Sequence, residues 1–80
     1  NSEWKVIEFK KLKRDYKFPD FKKGLNFVNL VGDLCERVGH HANFEFGWGF
    51  VTILIWTHKI NGLTESDFIL ASKIDQLIRS

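Results

Sequence analysis

ERVGHHANFEFGWGFVTILIWTHKINGLTESD, residues 36–67, carries the reading that decides the fold. Inside it, Phe50-Val51-Thr52-Ile53-Leu54-Ile55-Trp56-Thr57 is β-branched or aromatic at nearly every position, a composition that favours a strand. A period of two sets Val51, Ile53 and Ile55 on one face and Phe50, Thr52, Leu54, Trp56 and His58 on the other. Both faces are mainly apolar, so both need cover. Upstream, Phe44-Glu45-Phe46 alternates as a short strand, and Gly47-Trp48-Gly49 has the composition of a bend or bulge. Downstream, Lys59-Ile60-Asn61-Gly62 reads as a turn. Thr64 and Asp67 then read as a capping box with Asp in place of the usual Glu. The same stretch holds all three histidines: the pair His40-His41 behind Gly39, and His58 at the end of the apolar run. Histidine titrates nearest neutral pH of all side chains, so three of them at element ends suggest a site.

Working outward, Phe68, Ala71, Ile74, Leu77 and Ile78 give the chain's last segment the apolar face of a helix. Toward the N-terminus, Phe21, Leu25, Val28, Val31, Cys35 and Val38 follow helical spacing, and Phe27, Leu30 and Leu34 widen the stripe. Asp20 is a suitable N-cap, and Gly39 suits the left-handed position that ends a helix. The spacing predicts a helix over 21–38, weakened at Gly24. Pro19 ends whatever strand precedes it. Leu12, Arg14, Tyr16 and Phe18 alternate with Lys11, Lys13, Asp15 and Lys17 as a half-buried strand, and residues 4–9 form a less regular one. No Asn-Gly or Asp-Gly marks a turn between them. The order β-β-α-β-β-α implies an α+β domain: a four-stranded antiparallel sheet with two helices packed on one face.

At 80 residues the chain makes one domain, 1–80, with a marginal core. A single cysteine, Cys35, excludes an internal disulfide, fits a reducing compartment, and sits in an apolar stripe as an inert thiol. The longest apolar run is far shorter than the ~20 residues a spanning helix needs, so no membrane association is expected. Residues 1–23 hold eight Lys/Arg against four acids, and the remainder four against six. A basic strand pair could face phosphate, but lysines also protect exposed sheet edges. With no Arg-rich cluster, zinc finger or RNA-binding aromatic signature, direct nucleic-acid binding is not expected.

Read from the residues alone, the imidazoles could move protons near neutral pH. A three-histidine zinc site lacks support, because adjacent residues point in different directions and no Cys or close carboxylate completes the set. No metal is therefore expected.

The spacing is more specific than the composition. Glu36, three residues, His40-His41, Ala42, five residues, Trp48, nine residues, His58, eight residues and Asp67 together resemble the pterin-4a-carbinolamine dehydratase family, also known as dimerisation cofactors of homeodomain transcription factors. Phe18-Pro19-Asp20-Phe21, Thr57-His58, Gly62-Leu63-Thr64 and Leu70-Ala71-Ser72-Lys73-Ile74-Asp75 are similar to the family as well. The resemblance covers nearly the whole chain. It departs at Ala42, where the family usually has proline, and at Gly39, often acidic in the family. The family also usually has a helix before its first strand.

The resemblance implies loss of water from a 4a-hydroxytetrahydropterin to give the quinonoid dihydropterin, in tetrahydrobiopterin recycling, without cofactor or metal. It implies catalysis by His40, His41 and His58. His40-His41-Ala42, Thr57-His58-Lys59-Ile60 and Trp4 would line the pterin pocket, and Glu36 and Asp67 would orient imidazoles. Asp67 reads equally as a helix cap, Trp4 as a core aromatic, and Trp48 as structural. Family members form dimers and tetramers by joining sheets. Phe50, Leu54 and Trp56 leave an apolar patch, so a homodimer or homotetramer through the strand Phe50–Thr57 is expected, with that strand at a sheet edge. The implied location is cytoplasmic, with the nucleus in addition. The competing reading is a non-catalytic binding module with a transcription-factor or assembly partner.

Overall fold

The computed structural model describes residues 3–79. Its elements follow the order β1 (Lys5–Ile7), β2 (Lys11–Lys17), α1 (Phe21–Val38), β3 (Asn43–Gly47), β4 (Phe50–Ile55) and α2 (Glu65–Arg79). The four strands form one antiparallel sheet in the order β1-β2-β4-β3.

Local chemistry explains the boundaries. Asp20, with extended backbone, accepts a 2.8 Å hydrogen bond from the Lys23 amide and starts α1. Gly39 ends it at φ 73°, donating its amide to the Cys35 carbonyl. The helix therefore delivers His40 from a fixed left-handed turn. At α2 the Thr64 amide donates to Asp67 Oδ2 at 2.8 Å, the carboxylate half of the expected capping box. The reciprocal half is missing, because the Thr64 hydroxyl turns to Thr57 instead.

The sheet register sorts the side chains. Leu12, Arg14 and Tyr16 stand opposite Ile55, Ile53 and Val51, and Phe44 and Phe46 stand opposite Ile53 and Val51. This face meets Val31, Leu34 and Cys35 of α1 and Leu70, Ala71 and Ile74 of α2, all buried. Val51, Ile53 and Ile55 are fully buried there, as their alternation predicts. Both helices cover one face, giving the expected α+β domain. The α1 stripe is narrower than its spacing implies, since Phe21, Leu30 and Val38 remain exposed.

The other face is open, and Phe50, Leu54 and Trp56 share it with Thr52 as their alternation predicts. Thr52, at its centre, is buried and donates to Asp15 Oδ1 at 2.6 Å. Leu54 and Trp56 are half-buried, and Phe50 is exposed. Lys13 and Lys17 stand opposite Leu54 and Phe50, so lysine stems help cover that surface.

One expectation is corrected. The strand Phe50–Thr57 was expected at a sheet edge, open to pairing with a second copy. β4 instead lies between β2 and β3, with hydrogen-bonded neighbours on both sides, and it ends at Ile55. The edges are β1 and β3. Burial suits β4 to the interior: it carries no charged residue, and its helix-facing side chains Val51, Ile53 and Ile55 are fully buried.

Candidate active site

The C-terminal ends of α1 and β4 and the N-terminal end of α2 meet at one end of the sheet. The register pairing Asn43 with Leu54 brings the chain before β3 alongside the chain after β4. His40-His41-Ala42 and Thr57-His58 are carried there on backbone fixed by neighbouring elements.

Asp67 organises this region. It is fully buried, in the first turn of α2. His40 Nε2 lies 2.6 Å from Asp67 Oδ1. Oδ2 accepts the Thr57 hydroxyl at 2.8 Å and the Thr64 amide at 2.8 Å. The Thr57 and Thr64 hydroxyls are 3.0 Å apart, so Thr64 can donate to Thr57 while Thr57 donates to the carboxylate. Burial on its own would push the Asp67 carboxyl up. The hydrogen bonds from His40, the Thr64 amide and Thr57 outweigh it and hold Asp67 below its ordinary value of 3.8. Asp67 is then an anion at neutral pH and cannot donate. His40 Nε2 must carry the hydrogen, which leaves Nδ1 as the ring's free nitrogen.

His41 makes a second, different pair. Its Nε2 donates to Glu36 Oε2 at 2.5 Å, across one turn at the end of α1, and both side chains are mostly exposed. Among the described residues, His58 has no carboxylate partner. Its ring is exposed and meets Trp56 edge-on, with centroids 4.4 Å apart. The loop that carries it is closed by Thr57 and Gly62, whose amides and carbonyls exchange hydrogen bonds of 2.8 and 3.3 Å. Lys59 and Ile60 lie exposed on that loop, and Ala42 packs partly against the core.

Trp4 is elsewhere. Its indole N–H donates to Asp75 Oδ1 at 2.9 Å, beside Arg14 Nη1 at 2.8 Å from the same oxygen. These residues line a cavity of about 640 Å³ between the first hairpin and α2, to which no histidine contributes. A smaller hollow of about 110 Å³ is lined by His40 with Val38, Ser66, Ile69, Leu70 and Lys73. The structure thus joins His40, Asp67, Thr57 and Thr64 directly, sets His41–Glu36 and His58 at the same end of the sheet, and leaves Trp4 in the other cavity. Trp48 is exposed in the β3–β4 turn. Among the described residues, no three His, Cys, Asp or Glu side chains converge as metal ligands.

The sequence reading paired Thr64 with Asp67 as a helix cap, but it missed the carboxylate-binding use of the Thr57 hydroxyl and its contact with the Thr64 hydroxyl. A threonine at a strand end, ten residues before an N-terminal aspartate, is the local signal that could have indicated the link.

Fold and site together define a class: a small α+β domain, helices on one sheet face, with histidines and a buried carboxylate where helix and strand ends meet. The pterin 4 alpha carbinolamine dehydratase family model matches residues 1–77. A Rickettsia canadensis protein named in the pterin-4-alpha-carbinolamine dehydratase class is 51% identical over 77 residues, spanning 96% of this chain and 71% of that one. The crystal structure of a transcriptional coactivator/pterin dehydratase from Brucella melitensis superposes with a TM-score of 0.84 at 26% identity, over 94% of this chain and 81% of that one. A pterin dehydratase-like RuBisCO assembly factor of the alpha-carboxysome shares the fold, with a TM-score of 0.77 at 22% identity over 96% and 90%. The chain belongs to the pterin 4 alpha carbinolamine dehydratase family, a family of lyases.

Proposed function

We propose that this protein dehydrates a 4a-hydroxytetrahydropterin to the quinonoid dihydropterin by histidine acid–base catalysis, in tetrahydrobiopterin recycling. The observation that carries the reading is the 2.6 Å contact between His40 and a fully buried, anionic Asp67, one residue pair away from His58 through Thr57. The C4a–O bond breaks as the hydroxyl takes a proton and leaves as water. A proton leaves a ring nitrogen, and the electron pair it releases forms the new double bond. With Nε2 bound to Asp67, His40 offers Nδ1 as the base, and the carboxylate stabilises the imidazolium that forms. His58, with no carboxylate on its ring, serves as the acid. His41, oriented by Glu36, completes the set, and Ala42, Lys59 and Ile60 border the substrate. Trp4 takes no part in this reading, because it lines the separate cavity.

The test is a direct dehydration assay. His40→Ala and His58→Ala should each lower kcat by about 10²–10⁴-fold in folded protein. Wild-type rates in both variants would refute the assignment.

A second reading, a partner-binding role beside catalysis, is supported by the description of the Brucella protein as a transcriptional coactivator. No helix among the described residues is long and apolar enough to cross a membrane. Self-association remains part of the proposal, but through β1 or β3, since β4 has no free edge. Light scattering at micromolar concentration should give more than the 9.4 kDa of one chain.

A further inference from the structure

Two of the three imidazoles are held by carboxylates, and the third is not. Among the described residues, the His58 ring takes no hydrogen bond, and its ring contact is with Trp56, 4.4 Å between centroids at 60°. An exposed imidazole without a partner samples several rotamers. An aromatic edge contact removes some of them. Trp56 is itself held from the first hairpin. The register that pairs Leu12 with Ile55 sets Lys11 opposite Trp56, and Lys11 Nζ stands 4.5 Å from the centroid of the Trp56 ring. Glu8 Oε1, in the β1–β2 turn, lies 3.9 Å from the same ammonium. A line of contacts therefore runs from Glu8 through Lys11 and Trp56 to His58.

We infer that Trp56 is a positioning residue for His58, clamped in place by Lys11. This rests on the proposed dehydratase reading, in which His58 donates the proton to the leaving hydroxyl. Orientation of a proton donor bears on kcat far more than on substrate binding, because its geometry matters most as the C–O bond breaks. Neither Trp56 nor Lys11 is required to touch the pterin.

The experiment compares Trp56→Leu, Trp56→Phe and Lys11→Gln with the wild type, by steady-state kinetics and by NMR of the His58 imidazole protons. In the wild type the indole ring current should move those protons away from the positions of an unstructured histidine. Trp56→Leu should abolish that displacement and lower kcat roughly ten- to a hundredfold, with KM held within about twofold. Trp56→Phe should restore most of kcat, and Lys11→Gln should give a smaller loss with a partial return of the proton shifts. Unchanged His58 resonances in Trp56→Leu, or unchanged kcat once the ring contact is lost, would overturn the inference. If Trp56→Leu does not fold, Lys11→Gln carries the test: a wild-type kcat together with wild-type His58 resonances would then overturn it. A wild-type protein with no dehydration would refute the functional reading instead, while the His58 resonances would still report whether Trp56 holds the ring.

Discussion

The molecule contains two histidine–carboxylate pairs of nearly equal length and unequal consequence. His40–Asp67 is 2.6 Å and His41–Glu36 is 2.5 Å. Asp67 is fully buried and accepts hydrogen bonds from His40, Thr57 and both the amide and the hydroxyl of Thr64, whereas the Glu36 side chain is 76% exposed and His41 is 59% exposed. Distance does not separate them; solvent does. Water screens the outer pair and solvates each partner if the other is lost. Around Asp67, loss of the anion leaves a ring N–H, a hydroxyl and a backbone amide, all partly buried, without their acceptor. The inner pair ties α1, β4 and α2 together, and the outer one only orients a ring.

The largest effect should come from breaking the inner pair. Asp67→Ala should cost on the order of 3–5 kcal/mol of stability, the range for removing one partner of a buried pair. That is a large share of the ~5–15 kcal/mol available to a small domain. Urea unfolding checks it, and a loss no larger than that of Glu36→Ala would erase the distinction between the pairs.

Asp67→Asn keeps the shape and removes the charge, which isolates the pH dependence. The folded carboxyl is held below its ordinary 3.8, so its stabilisation is complete above that value and is lost as pH falls through the lower folded one. As pH falls below 3.8 the wild type should therefore lose more stability than Asp67→Asn. Parallel acid-dependence of the two proteins would mean that Asp67 contributes nothing to the acid transition.

Much of this arrangement is legible in the sequence. Asp20 and Gly39 mark the ends of α1 because capping is local chemistry. The alternation of Val51, Ile53 and Ile55 marks the buried face because side-chain direction has a period of two. Strand order is not carried by periodicity, and so β4 was expected at an edge. Charge does not carry it either: β4 has none, but lysine-rich β2 is interior as well and the edge strand β3 has no lysine. The strands of the first hairpin are legible, but the position of its turn is not, for another reason. Its turn, closed by a 2.9 Å bond from the Lys10 amide to the Ile7 carbonyl, has Glu8 and Phe9 at φ 54° and 60°. That geometry favours Asn-Gly, and here ordinary residues adopt it because the twist of the paired strands demands it. The Asp67 network was half legible. The capping box pointed to Asp67, but the contribution of Thr57 depends on where β4 ends against α2.

Thr57→Val tests that contribution. It removes the Thr57 hydrogen bond to Asp67 and the contact with the Thr64 hydroxyl, while keeping the volume and leaving His40 in place. The expected loss is about 1.5–3 kcal/mol, the scale of a hydrogen bond to a charged group. A neutral result would mean that the Thr64 amide and His40 suffice.

The smallest effect belongs to the outer pair. Glu36→Gln keeps a hydrogen-bond acceptor near His41 and removes only the charge. The pair is exposed, its partners lie five residues apart at a helix end, and either can turn to water. Such pairs contribute roughly 0.2–1 kcal/mol, and salt screens them. Glu36 also stands in the last turn of α1, where a negative charge opposes the helix dipole, so its removal brings a small compensating gain. The net change in stability should fall within about 0.5 kcal/mol, the scale usual for surface substitutions. If Glu36 serves catalysis by orienting His41, the variant should lose activity at unchanged stability, which Asp67 variants cannot do. Urea unfolding beside the dehydration assay separates the two outcomes. A Glu36→Gln protein destabilised as much as Thr57→Val would show that exposure is a poor guide to what this helix end contributes.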